Sequence, residues 1–229
     1  MTSPMDRSTF TLTLEHSILS PGATESQVLE GCRFAAAQGV KLVMVQPCFV
    51  ETASHALRGS PVLVGSVLDF PHGCSPLDVK AYAARRLRAL GADEIDMVLN
   101  RSLLRSGRLL EMEAEIREVV DSAGGATVKV ILETGEISDI EIAHCVEAAR
   151  RAGADFVKTS TGFAGSGATV ESVSLLRRLA GKTMGVKASG GIRTLDQALA
   201  LIEAGADRLG LSATPSVLAE WDKRFDHEG

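Results

Sequence analysis

AGADFVKTST, residues 152–161, is the stretch on which the fold turns. Two close copies stand elsewhere in the chain, LGADEIDMVL (90–99) and AGADRLGLSA (204–213), with a looser one, AQGVKLVMVQ (37–46). Each joins the end of a helix-like stretch to a glycine and then to a short β-rich run. Glycine suits the position just past a helix, where φ is positive. Gly39 and Gly91 are separated by roughly fifty residues, and so are Gly153 and Gly205. That spacing is two βα units of about 26 residues each, close to the ~30 of an eight-stranded α/β barrel.

Filling in the units gives eight. Strands are predicted near 11–16, 40–45, 62–68, 93–98, 127–132, 154–158, 183–187 and 206–210. VKLVMV and VKVIL are rich in Val, Leu and Ile, as buried parallel strands should be. Amphipathic stretches lie between them: in AYAARRLRAL (81–90), Ala84, Leu87 and Leu90 share one face and the arginines lie largely off it. Thr24 and Ser138 are expected to cap helices. No low-complexity segment or linker interrupts the pattern, so 1–229 reads as one domain, with a core of about 11–218, a short N-terminal arm and a C-terminal tail. A doubly wound sheet shares the alternation, but eight similar units favour closure. The predicted fold class is α/β, a single (β/α)8 TIM barrel, with its reactive residues at the C-terminal ends of the strands.

Composition narrows the function. The 229 residues are 45% hydrophobic and 23% charged, ordinary for a soluble globular protein. A net charge of -5 argues against nucleic acid or an anionic membrane as partner. The N-terminus, MTSPMDRSTF, is too polar for a secretory signal, and no apolar run approaches the ~20 residues of a membrane span. A cytoplasmic protein is expected. Cys32, Cys48, Cys74 and Cys145 are scattered without a C-x-x-C, and read as reduced thiols mostly in or near the core. The five histidines form no HxH or HExxH pattern, so no metal is expected, and no cofactor is called for.

The strand ends carry the chemistry. The sixth strand ends on Lys158 and the seventh on Lys187. Two neighbouring ammonium groups disfavour each other's protonation, and a neutral amine is what attack on a carbonyl needs. Asp96 interrupts the apolar fourth strand and is predicted to point into the barrel, where a carboxylate beside two lysines can move protons. Asp93 and Glu94 read as structural or solvent-facing. STG (160–162), SGGIR (189–193) and Ser212 follow strands six, seven and eight; Gly190 and Gly191 let backbone amides approach an anion at a helix N-terminus. These features lead to a barrel enzyme for a sugar phosphate.

GADEIDMVLN, VKVILETGE, AGADFVKTSTGF and VKASGGIRT, with DFPHG (69–73), resemble the deoxyribose-phosphate aldolase family over about residues 11–218. The resemblance implies a class I aldolase that reversibly cleaves 2-deoxyribose 5-phosphate to acetaldehyde and glyceraldehyde 3-phosphate. It implies that Lys158 forms the Schiff base, Lys187 tunes it and Asp96 joins the proton relay. Thr161, Gly162, Phe163, Gly190, Gly191 and Ile192, with Ser212, would hold the phosphate end. Family members are often dimers, so a homodimer is one expectation.

The departures lie on the acceptor side. The family's D-H-T is here Glu15-His16-Ser17, and its V-N-P is Val45-Gln46-Pro47. Glu15, Ser17 and Gln46 are therefore expected to read the substrate differently, with Glu15 reaching further into the mouth. After strand eight, G-T-S-S-G becomes Gly210-Leu211-Ser212-Ala213-Thr214, with Thr214-Pro215 read as the N-cap and first residue of the last helix. Two alternatives stay open: an aldolase for a related aldehyde or sugar phosphate, and a catalytically silent barrel that binds a phosphorylated metabolite.

Overall fold

A computed structural model describes residues 5–225. Residues 1–4 of the predicted arm and 226–229 of the predicted tail lie outside that range. Eight parallel strands close in sequence order, β1 (Leu14–Ile18), β2 (Leu42–Val45), β3 (Leu63–Leu68), β4 (Glu94–Val98), β5 (Thr127–Ile131), β6 (Phe156–Lys158), β7 (Gly185–Ser189) and β8 (Arg208–Leu211), with β8 pairing back to β1. The outer ring begins with α1 (Arg7–Thr11), α2 (Glu25–Gln38) and α3 (Val50–Ala56). It continues with α4 (Leu77–Ala89), α5 (Arg101–Arg105), α6 (Leu109–Ser122) and α7 (Asp139–Arg151), and ends with α8 (Val170–Ala180), α9 (Leu195–Glu203) and α10 (Thr214–Phe225). The predicted (β/α)8 barrel is the fold observed.

The repeated Gly-Ala-Asp has a physical reason. Gly39, Gly91, Gly153 and Gly205 all have positive φ, as a chain turning from helix to strand requires. The Asp of each full copy then clamps the preceding strand. Asp93 accepts the amide of Val64 at 3.0 Å, Asp155 that of Val128 at 2.8 Å and Asp207 that of Val186 at 2.8 Å. A carboxylate accepting a backbone amide at the start of a strand satisfies a donor that the barrel's rim would leave open. Asp93 is thus structural, as read from the sequence. Thr24 and Ser138 both cap their helices in full capping boxes, each contributing about 1 kcal/mol.

The first strand begins later than predicted. Thr11 closes α1, a helix not predicted from the sequence, in which Phe10 is buried and stacks on Trp221 of α10 at 4.4 Å between ring centroids. Arg7 secures the same contact through Asp222 at 2.6 Å. At the other end of the chain Thr214 is the first helical residue rather than the cap, and its hydroxyl donates to the Leu211 carbonyl. One apolar layer lies between barrel and helices; a smaller one, Leu42, Met44 and Val67, fills the β2–β3 side of the barrel's interior.

Cys32 and Cys145 are buried, but Cys48 and Cys74 are exposed, so only half of the thiols sit in the core. Burial pushes the Cys32 thiol up to about 11 and the Cys145 thiol to about 12. Ellman's reagent is expected to titrate Cys48 and Cys74 rapidly in the native protein, and the other two only on unfolding. Four fast thiols, or none, would contradict this burial.

Candidate active site

Side chains alternate between the two faces of a barrel strand, so residues two apart share the interior. Glu94 and Asp96 on β4 follow that rule, as do Phe156 and Lys158 on β6. The register sets Asp96 beside Lys129, Lys158 beside Lys187, and Lys187 beside Arg208. Glu15 on β1 stands opposite Gly210. A Cβ at Gly210 would lie 2.9 Å from Cε of Lys187 and 3.1 Å from Cβ of Ser189, so glycine there is what leaves room for the lysine.

Asp96 is the hub. Its Oδ2 accepts from Lys158 at 2.8 Å and from Lys187 at 2.6 Å, while its Oδ1 accepts from Lys129 at 2.9 Å. Lys187 also donates to Glu15 Oε2. Lys129 lies 2.5 Å from Glu94 and 3.5 Å from Glu15. Beneath them Arg208 approaches Glu94 at 3.4 Å and Glu15 at 3.7 Å. The structure therefore brings Lys158, Lys187 and Asp96 together as the sequence predicted, and adds Lys129 and Arg208, which the sequence reading passed over, and Glu94, which it read as structural or solvent-facing. Lys129 is the middle residue of VKVIL, and its charge was hidden by the apolar run around it. Glu94 is not solvent-facing: it is buried as the partner of Lys129 and Arg208.

The electrostatics follow from burial first. Loss of water lowers the Lys158 amine to about 8; Asp96 opposes this and Lys187 adds to it. The neighbouring lysine is thus a secondary cause, not the leading one the sequence suggested. Burial disfavours the charge on Asp96, but Lys129, Lys158 and Lys187 outweigh it and hold the carboxyl well below its usual range. For Lys129 burial is again overcome, by Asp96, Glu15 and Glu94, and its ammonium is held protonated.

A cleft of about 700 Å³ opens above Lys158, between the ends of β1, β6, β7 and β8. Ser17, Gly162 and Phe163 line it, as do Gly190, Gly191, Ile192 and Ser212. Among the described residues the amides of Gly190, Gly191 and Ile192 meet no protein acceptor, which suits an anion at the start of α9. Thr161 also faces the cleft, but its hydroxyl is held by Glu133 at 2.6 Å and accepts the Phe163 amide at 3.1 Å. Glu133 is a buried left-handed residue with φ 59°, and it fixes the loop after β6 rather than touching the cleft itself. The Phe163 amide is therefore not open to a phosphate.

Two acceptor-side residues sit elsewhere. Glu15 is fully buried one layer below the mouth, because Lys187 and Lys129 draw its carboxylate inward. Gln46 donates to the carbonyls of Ser20 at 2.5 Å and Leu19 at 3.3 Å, tying down the loop after β1. It faces a separate apolar hollow of about 220 Å³ beside Phe70 and Phe163, whose rings meet edge to face at 5.2 Å.

A family model described as DeoC/LacD family aldolase matches residues 3–216. The chain belongs to that family. The deoxyribose-phosphate aldolase of Caldanaerobacter subterraneus subsp. tengcongensis is 46% identical to this aldolase over 214 residues, covering 92% of this chain and 93% of its own. That of Thermococcus gammatolerans is 47% identical over 204 residues, covering 87% and 91%. Among solved structures, a tetrameric deoxyribose phosphate aldolase from Aeropyrum pernix matches this aldolase with a TM-score of 0.90 at 36% identity, over 96% of this chain and 93% of that one. This aldolase is a lyase. Among its described residues no helix is long and apolar enough to cross a membrane.

Proposed function

We propose that this aldolase reversibly cleaves 2-deoxyribose 5-phosphate to acetaldehyde and glyceraldehyde 3-phosphate, through a Schiff base on Lys158. The observation that carries the reading is a single amine, lowered to about 8, at the floor of a cleft whose far rim offers open backbone amides. At pH 7 an amine with that value is neutral about a tenth of the time, against about 3 in 10,000 for an ordinary lysine.

The neutral amine adds to the C1 aldehyde of the open-chain sugar. The carbinolamine loses its hydroxyl as water, the proton supplied through Asp96 and Lys187, and leaves an iminium. The iminium draws the electrons of the C2–C3 bond as the C3 hydroxyl gives up its proton, releasing glyceraldehyde 3-phosphate and an enamine. Protonation of the enamine at C2 and hydrolysis release acetaldehyde and restore the amine. Asp96 can pass a proton to either lysine directly, since one oxygen touches both. The phosphate is placed against Gly190, Gly191, Ile192 and Ser212, with Gly162 across the cleft. A homo-oligomer and a cytoplasmic location are proposed on the same footing, the first because the Aeropyrum pernix relative is tetrameric.

Borohydride reduction in the presence of acetaldehyde is expected to leave an N-ethyl group on Lys158, found by peptide mapping. Folded protein with no mark would defeat the aldolase reading. Deoxyribose 5-phosphate should be preferred to deoxyribose by at least about tenfold in kcat/KM, because uncompensated amides penalise the ligand that lacks the anion. Equal use of the two sugars would remove the phosphate from this rim.

A further inference from the structure

The interior of the barrel holds a nearly closed set of charges. Every strand that faces Lys158 contributes: Glu15 from β1, Glu94 and Asp96 from β4, Lys129 from β5, Lys187 from β7 and Arg208 from β8. Strands β2 and β3 contribute apolar residues to this interior, among them Leu42, Met44, Leu63 and Val67. Three carboxylates thus face three cations, and Lys158 is a fourth cation. Burial of an ion is costly unless a counter-ion answers it, so one amine in such a set is favoured to lose its proton.

Which amine it is depends on how the carboxylates are shared. Glu94 answers Lys129 and Arg208 at the base. Glu15 answers Lys187. Asp96 gives one oxygen wholly to Lys129 and divides the other between Lys187 and Lys158. Lys129 exerts the largest through-space charge effect on Asp96, while Lys158 acts both by its charge and by its hydrogen bond. The base of this arrangement does not line the cleft: Lys129 is fully buried, and Arg208 lies over the Phe156 ring at 5.8 Å.

We propose that Lys129, Glu94 and Arg208, the layer of the barrel beneath the reacting amine, are positioning residues: Lys129 engages Asp96 from below, Glu94 and Arg208 set how fully it does so, and Lys158 is left the one cation without a carboxylate of its own. The inference rests on the Schiff-base role given to Lys158. In this layer a charge acts at a distance from the substrate: deleting a cation frees Asp96 for Lys158, and deleting a carboxylate turns Lys129 more fully onto Asp96. The two deletions have opposite signs.

The test measures the rate of borohydride-trapped imine formation with acetaldehyde as a function of pH. Lys129→Met is expected to move the midpoint of the profile to higher pH by about one unit or more, with a fall of about tenfold at pH 7. Glu94→Gln is expected to move it to lower pH. The double variant Lys129→Met/Glu94→Gln restores the charge count and should return the midpoint to within about 0.3 unit of the parent. A purely structural role would make the double variant no better than the worse single one and would move no midpoint. Lys129→Met leaves Glu94 short of a partner and can fail to fold; the Glu94→Gln shift and the return in the double variant then decide the matter. Unmoved midpoints in folded variants, or a double variant that stays displaced, overturn the inference. Absence of any trapped imine in the parent protein defeats the aldolase reading instead.

Discussion

A Lys158→Met enzyme is expected to lose retro-aldol turnover by at least about 10⁴-fold while keeping its fold. That loss corresponds to about 5.5 kcal/mol of transition-state stabilisation. No other amine can take over. Lys187 is fully buried between Glu15 and Asp96, Lys129 lies deeper still, and Lys158 is the lysine that faces the cleft. Stability should be unchanged or slightly higher, because removing the surplus cation leaves Asp96 still answered by Lys129 and Lys187. The checks are a coupled assay for glyceraldehyde 3-phosphate and a urea midpoint. Residual turnover above about one per cent of the parent, without a second trapped lysine, would mean that the covalent step is not the route.

Lys187→Met should be the next most damaging at neutral pH, by about 10²-fold, and partly recoverable. The sign follows from the contacts. Burial still lowers the Lys158 amine, but the repulsion from Lys187 is gone and both Asp96 interactions that raise it remain. The group therefore holds its proton to higher pH, and the rising limb of kcat/KM against pH shifts upward by about one unit. At high pH the amine is neutral again and part of the rate returns. The part that does not return measures the lost proton donor beside the substrate. A variant whose profile keeps its midpoint while its plateau falls would show that Lys187 donates protons without tuning Lys158. Near-UV circular dichroism checks that the variant, with Glu15 short of its main partner, still packs.

The barrel was legible because its joints repeat. Gly-Ala-Asp recurs where the chain leaves one helix and clamps the strand before it, and that requirement is local in sequence. The first strand was placed too early in part because Thr11 ends a helix the sequence reading did not place, whose Phe10 is held by Trp221, more than two hundred residues away. The reactive core divides in the same manner. Lys158, Lys187 and Asp96 stand out because each ends or interrupts an apolar run near the rim. Lys129, Glu94 and Arg208 lie lower on the same interior face and are flanked by residues that read as ordinary core. The alternation of a strand held the missing signal, since Glu94 stands two residues before Asp96, and Lys129 pairs with Asp96 in the register. Glu15 was drawn into the mouth by counting its extra methylene alone; the cations around it, which length does not reveal, hold it below. Gln46 likewise has two backbone carbonyls to answer before any substrate.

The clasp between Phe10 and Trp221 bears on how the molecule comes to be made. Its two rings belong to the first and last helices described, and β1 waits with an unpaired edge until β8 exists to meet it. Emerging from the ribosome in order, the polypeptide must present every strand from β1 to β8 before its sheet can become a cylinder. The single tryptophan of the chain sits on that final seam, so its fluorescence is a built-in clock for the moment of closure.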